Sequence, residues 1–95
     1  MEIDKIIHEP ARLRIMMILA GLEQADFNFL LKTLSLTRGN LSRHVEKLES
    51  AAYLNVKKSF NGKIPNTSYQ LTQKGSRALA QYWENLDTVR KLGQS

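Results

Sequence analysis

The sequence contains no cysteine. That excludes a disulfide framework, a thiolate metal site and a thiol nucleophile, and it suits a reducing compartment. Long apolar stretches are missing too. The longest, Ile15 to Ala20, is far short of the roughly 20 residues that a bilayer-spanning helix needs. The first nine residues mix charged and apolar side chains without the order of a signal peptide, so a cytoplasmic protein that does not enter membranes is expected. No Gly-rich phosphate loop and no Ser/His/Asp arrangement stands out. Carboxylates such as Glu46 and Glu49 read as solvated charge on a helix, so no enzyme is expected. The two histidines, His8 and His44, are far apart in the chain, and neither a metal nor any other cofactor is expected.

What the chain does hold is basic charge, unevenly placed. Between Lys32 and Arg77 nine Lys/Arg stand against two glutamates, a net of +7; the remainder has five against seven acids, a net of −2, which recovers the total of +5. Concentrated positive charge favours a polyanionic partner. Ninety-five residues suit one domain spanning 1–95. A chain of this size buries only about 60–65% of its unfolded surface, so its core is thin and a partner subunit would add to it.

Local signals divide the chain into three helices, a hairpin and a fourth helix. Pro10 fits the first turn of a helix, with Glu9 complementing the positive end of its dipole and Gly21 stopping it. Leu13, Met16, Met17 and Ala20 form one apolar face, and Ile15, Ile18 and Leu22 lie on the other side. A helix this apolar is expected to be buried on two sides, the second against another subunit. The upstream "IDKII" suggests a short helical lead-in. Asp26 caps "FNFLLKTL", in which Phe27, Leu30, Leu31 and Leu34 keep the helical period. Thr37 caps a third helix from Arg38 to about Ala51, and the short connection between the two is that of a helix-turn-helix. "LNVKKSF" and "TSYQLT" read as strands, with Asn61-Gly62 as the hairpin signal and Pro65-Asn66 prolonging the loop. Thr72 caps the last helix, spanning about 73–91. Its apolar side is Leu79, Tyr82, Trp83 and Leu86, so Tyr82 and Trp83 read as core or subunit packing. Gly75 costs that helix about 1 kcal/mol against alanine.

The third helix carries the functional argument. With Leu41 as its buried centre and about 100° per residue, Val45, Leu48 and Ala52 fall within about 40° of it. Arg43, Glu46, Lys47 and Ser50 fall on the far side, with Asn40 and Ser42 on opposite flanks. Arg38, Asn40, Ser42 and Arg43 all precede the first acid, Glu46. A helix that enters the DNA major groove leads with its N-terminal half, where its dipole also favours phosphate. There Arg43 could give two hydrogen bonds to guanine, and Asn40 two to adenine. Ordinary solvated charge would explain this helix alone as well. The lysine-bearing hairpin that follows, with Lys57, Lys58 and Lys63, shifts the balance toward a backbone-binding ribbon.

"HEPARLRIMMIL" from His8, "LTRGNLSRHVEKLESAAYL" from Leu36 and "TSYQLTQKGSRAL" from Thr67 resemble the winged-helix transcriptional regulators of the ArsR and MarR types and the small stand-alone winged-helix DNA-binding domains. The resemblance spans about residues 8–88. It implies a mainly α winged helix-turn-helix over 8–71, with the hairpin as the wing and a C-terminal helix over 73–91 as a dimer element. It further implies a homodimer on duplex DNA. Carried over by position, Thr37, Arg38, Asn40, Ser42, Arg43, His44 and Lys47 would serve the groove, and Lys57, Lys58, Asn61 and Lys63 the wing. Ile15, Ile18, Leu22, Tyr82, Trp83 and Leu86 would pair the subunits. The missing cysteines set the chain apart from thiolate metal sensors, and its length leaves little room for the ligand pocket of MarR-type proteins. A winged helix used for protein contact, or one that binds RNA by shape, would explain the leading-end bias of the third helix less well.

Overall fold

Each helix starts at the capping residue its sequence offers. In the computed structural model, which describes residues 2–94, the elements run α1 (Pro10–Gly21), β1 (Ala25–Asp26), α2 (Phe27–Leu34), α3 (Arg38–Ser50), β2 (Leu54–Asn61), β3 (Ile64–Leu71) and α4 (Gln73–Leu92). Glu9 accepts from the Ala11 and Arg12 amides at 2.9 and 3.0 Å. Asp26 accepts from Phe29 N at 2.7 Å, Thr37 from Asn40 N at 3.2 Å, and Thr72 from Gly75 N at 2.9 Å. Such caps satisfy amides that have no partner within the helix, each worth about 1 kcal/mol.

Two of the helices end on a left-handed residue that is not glycine. Ser35 (φ 54°) closes α2 and Ala52 (φ 63°) follows α3. Leu36 N donates to Leu31 O and Tyr53 N to Leu48 O, the long bond of a Schellman motif in each case. The first motif sets the turn between α2 and α3. The second turns the chain onto α4, where Tyr53 O accepts from Thr72 N at 3.0 Å and Ala52 O from Thr72 Oγ1 at 2.6 Å. Gly75 lies against that same turn. A Cβ there would sit 2.3 Å from Tyr53 O, so the glycine is required by close approach and is more than a tolerated weak point of α4.

The sheet has three antiparallel strands in the order β1-β3-β2. β1 was not expected; two residues, Ala25 and Asp26, pair with Tyr69 and Ser68 and are too short to show alternation. β2 and β3 pair from Leu54↔Leu71 to Asn61↔Ile64, leaving a two-residue turn. Gly62 takes φ 68° at its first central position, the place where a tight hairpin turn needs a positive φ. Pro65 therefore belongs to β3, opposite Phe60, and does not lengthen the loop. Asn61↔Ile64 closes the turn, so the next pair is the one without ladder bonds and the missing proline N–H costs none.

The core lies between α1, α2, α3, the base of the sheet and the first half of α4. Ile7, Ile15, Met16, Leu30, Leu41 and Leu48 are fully buried, each contributing about 1.5–3 kcal/mol relative to exposure. Leu41, Val45 and Leu48 are the buried side of α3, as its period predicts; Ala52 falls beyond the helix end and is exposed. The face of α1 differs from expectation. Ala11, Ile15, Met16 and Leu19 are buried, Leu13 is half-buried, and Met17 and Ala20 are exposed. A helix apolar all round gives its period no contrast from which to choose a face. Ahead of α1 the lead-in is one capped turn and not a helix. Asp4 Oδ1 accepts from Ile6 N and Ile7 N, and Tyr53 OH donates to Asp4 Oδ2.

Candidate nucleic-acid interface

The first turn of α3 carries no acidic residue, as is true of the other three helices, although acids there would complement the dipole; α3 differs from them in exposing all of its first three residues. Arg38, Gly39 and Asn40 stand at the positive end, all exposed. A phosphate near this end would find free amides, a favourable dipole and a guanidinium together. Counting about 100° per residue from the buried Leu41, the outermost line of the helix is Gly39, Arg43, Glu46 and Ser50. Asn40 Oδ1 accepts from Arg43 Nη2 at 3.0 Å, so two of the expected base-reading side chains are already tied to each other on the exposed surface. Arg38 has its guanidinium 5.1 Å from the centre of the Phe27 ring, which anchors it to α2.

One flank of α3 faces the wing across a cleft of about 650 Å³ lined by Arg38, Ser42, Glu46, Glu49, Val56, Lys58 and Thr67, among others. Lys47, on the other flank, shares a hollow with Arg43, Ser50 and Ile6. The strand pleat separates the wing lysines. Successive side chains alternate in face, and the cleft-lining residues Val56, Lys58, Thr67 and Tyr69 form one face through the pairs Val56↔Tyr69 and Lys58↔Thr67. Lys57, opposite Ser68, is on the other face. Lys63 sits in the turn and Asn61 at its start, both exposed. The wing residues expected together are thus distributed around the hairpin, with only Lys58 on the side of α3.

His44 does not join the groove set. Its side chain is 14% exposed and turned toward the start of α1, with Nδ1 3.3 Å from Glu9 Oε2 and 3.2 Å from Arg12 Nη1. Burial pushes the imidazole pKa down; Glu9 pulls it up, but Arg12, Arg43 and Lys47 push it down further, and it ends below its ordinary 6.5. Arg12 can only donate, so Nδ1 accepts from it in the neutral ring, the form that the lowered pKa favours. Burial raises the Glu9 pKa, but its two amide donors and the His44 and Arg12 charges outweigh this and leave it below 4.5. Arg12 also donates through Nε to Ile6 O at 2.5 Å. The cluster fixes α3 to α1 and to the lead-in. A lone histidine on the flank of a helix could not reveal this in sequence, because its partners lie 32 to 35 residues away.

The expected subunit-pairing residues also divide. Ile15 and Tyr82 are 0% and 2% exposed and are spent in the chain's own core; Tyr82 OH and His8 Nδ1 share a 2.8 Å hydrogen bond. Ile18 and Leu86 are half-buried against that core. Leu22 is exposed in a hollow beside Phe29 and Ser68. Trp83 is 42% exposed, and further along α4 Val89 and Leu92 are more so. Gly39 is the interface candidate that sequence inspection missed. Its signal was a glycine inside a helix with no packing reason, since a Cβ there would meet nothing within 4 Å.

Among the described residues, no three His, Asp or Glu come together as a possible metal site, and no helix is long and apolar enough to cross a membrane. Comparison with known proteins agrees with the geometry. A protein of Methanocaldococcus jannaschii is 39% identical over 79 residues, covering 82% of this chain and 85% of that protein. The structure of a transcriptional regulator homologue from Pyrococcus horikoshii OT3 superposes with a TM-score of 0.84 at 30% identity, covering 90% of this chain and 85% of that one. A MarR mutant from E. coli, solved with operator DNA, shares the fold at a TM-score of 0.69 and 22% identity, over 78% of this chain and 52% of the MarR chain. A family model described as a winged helix DNA-binding domain matches residues 11–89, and the chain belongs to that family of transcription-regulator domains.

Proposed function

We propose that the protein is a sequence-specific regulator that binds duplex DNA as a homodimer on a pseudo-palindromic operator. The observation that carries this is the first turn of α3, where Arg38, Gly39 and Asn40 are exposed without an acid among them. Arg43 and Asn40 select bases, and Lys47 and the wing lysines neutralise phosphate, supplying affinity that falls with salt. The dimer is supported by α4. Its 20 residues span about 30 Å, and at about 100° per residue Leu86 and Val89 continue the stripe of Leu79 and Tyr82 beyond the core, Leu86 half-buried and Val89 exposed. A second copy of the same helix would cover that continuation. Occupancy of a promoter by such a dimer represses by occlusion or activates by recruitment.

In vitro selection from a random duplex pool tests both halves of the proposal. The expected product is a two-fold symmetric motif whose half-sites lie about 10 base pairs apart. An asymmetric motif would remove the symmetric dimer, and no enrichment would remove sequence-specific binding.

A further inference from the structure

The tip of the hairpin is apolar where a phosphate-binding wing has no need to be. Phe60 and Ile64 are 74% and 70% exposed, the most exposed large hydrophobic side chains among the described residues. Pro65, also exposed, pairs with Phe60, and Ile64 pairs with Asn61. By the alternation of the pleat, Phe60 and Pro65 lie on the cleft side that faces α3, and Ile64 lies on the opposite side. The end of the ribbon is therefore greasy on both faces. Around it the charge is of one sign: residues 54–71 contain Lys57, Lys58 and Lys63 and no Asp or Glu. A partner that suits this tip must be anionic on its outside and apolar within reach of the surface.

We infer that Phe60, backed by its cross-strand neighbour Pro65, enters the minor groove of duplex DNA as an apolar wedge. This rests on the DNA-binding proposal above and adds a second, non-ionic mode of contact to it. The minor groove is bounded by phosphates, and its walls are sugar. Apolar side chains inserted there unstack base steps and bend the duplex. The dimensions agree. Two strands about 4.8 Å apart, with their side chains, are too broad for a groove about 6 Å wide; a single side chain from the tip fits, and the ribbon rides above it. Eight residues of β2 extend roughly 26 Å at about 3.3 Å each. That places the tip well away from α3, in range of the groove next to the one α3 occupies. The tight turn at Gly62 fixes the pairing of Phe60 with Pro65, so the ring is presented from a paired strand and not from a loop.

The wedge has a signature that a cationic contact lacks. A lysine on phosphate releases counterions and steepens the fall of affinity with salt; an apolar insertion releases none. The experiment measures binding of the full chain to a duplex of about 30 base pairs taken from the selected pool, by fluorescence anisotropy between about 50 and 200 mM salt. Phe60→Ala is expected to bind roughly tenfold to a hundredfold more weakly with an unchanged salt slope. Phe60→Leu should recover most of the loss, and Lys63→Ala should lower the slope by about one. End-to-end energy transfer across the duplex should report a smaller bend with Phe60→Ala than with the wild type. Equal binding by wild type and Phe60→Ala, or a loss that comes with a reduced slope, would overturn the wedge while leaving DNA binding intact. Failure of the wild type to bind any duplex would instead overturn the reading on which it rests. Vesicles of phosphatidylserine and phosphatidylcholine form a separate arm. Phe60-dependent binding to them with Phe60-independent binding to DNA would reassign the tip to membranes and refute the inference. Because Phe60 is exposed, its replacement should leave the melting curve unchanged, so each result reports on contact and not on folding.

Discussion

Gly39→Ala separates what the fold wants from what the DNA-binding surface wants. Glycine in a helix is up to about 1 kcal/mol worse than alanine, and it also loses more chain entropy on folding. At position 39 no neighbour would object to a methyl group, since nothing lies within 4 Å of the added Cβ. The substitution should therefore stabilise the protein by roughly 0.5–1 kcal/mol, about 2–8 °C in melting temperature for a domain of this size. Yet the same methyl group would stand on the outermost line of α3, between Arg38 and Asn40, where the proposed docking brings the helix to the groove floor. Forcing one extra methyl into a close contact costs about 1–3 kcal/mol, a roughly fivefold to 150-fold loss of affinity. Urea unfolding followed through Trp83, the single tryptophan, gives the first quantity, and anisotropy on the selected duplex gives the second. A variant that is more stable and binds as tightly as the wild type would show that α3 does not approach DNA along this line. The reasoning would then fail at the docking step and not at the fold.

Four further outcomes are expected. Gly75→Ala should destabilise the fold by about 1–3 kcal/mol, because its Cβ would collide with Tyr53 O at the turn between α3 and β2; a melting temperature equal to wild type would show that α4 can shift away freely. Ala52→Gly should stabilise by up to about 1 kcal/mol, relieving the left-handed strain of a residue with a Cβ, and loss of stability in urea would count against that account. Burial holds the His44 pKa below 6.5 in the folded state, against the pull of Glu9, so the unfolded chain takes up that proton first on acidification; stability present above pH 6.5 should fall as the pH drops toward the folded pKa, and His44→Gln should flatten that part of a stability–pH curve. Arg43→Ala should cost about 1–3 kcal/mol on the selected site and relax one base position; an equal loss on every sequence would mean that Arg43 meets only phosphate.

Most of the fold was legible because its signals are local. Asp26, Thr37 and Thr72 announce their helices by cap chemistry, and Leu41, Val45 and Leu48 announce the buried side of α3 by period. What could not be read has a common physical cause: it depends on residues distant in sequence. β1 exists only because Ala25 and Asp26 meet Tyr69 and Ser68. Gly75 is compelled by Tyr53, 22 residues earlier. The face of α1 was set by its neighbours and not by its own nearly uniform pattern. In the candidate site, the exposure of Asn40, Ser42, Arg43 and Lys47 followed from the helix wheel, whereas Arg38, only about 60° from the buried Leu41, is exposed because it stands at the helix end. The diversion of His44 to Glu9 and Arg12 did not, nor did the choice of which hairpin face, and so which of Lys57 and Lys58, looks toward α3.

The places where the sequence breaks local rules are informative in their distribution. Two breaches stand on the parts of the surface assigned to DNA: a glycine in the first turn of α3 with open space beside it, and an exposed phenylalanine and isoleucine at the end of the wing. Neither helps the isolated chain, since the first forgoes helix propensity and the second burial. Sequences that specify a fold well tend to be consistent at every level except at functional sites. The left-handed Ala52 is a breach of another kind, because its turn is repaid within the chain by the bonds to Thr72 and the seating of α4 on Tyr53. That contrast gives a rule for sorting the exposed residues. A costly choice with a compensating contact in the same chain, such as His44 with Arg12, belongs to the scaffold. A costly choice with none, such as Gly39 or Phe60, belongs to the surface that meets a partner.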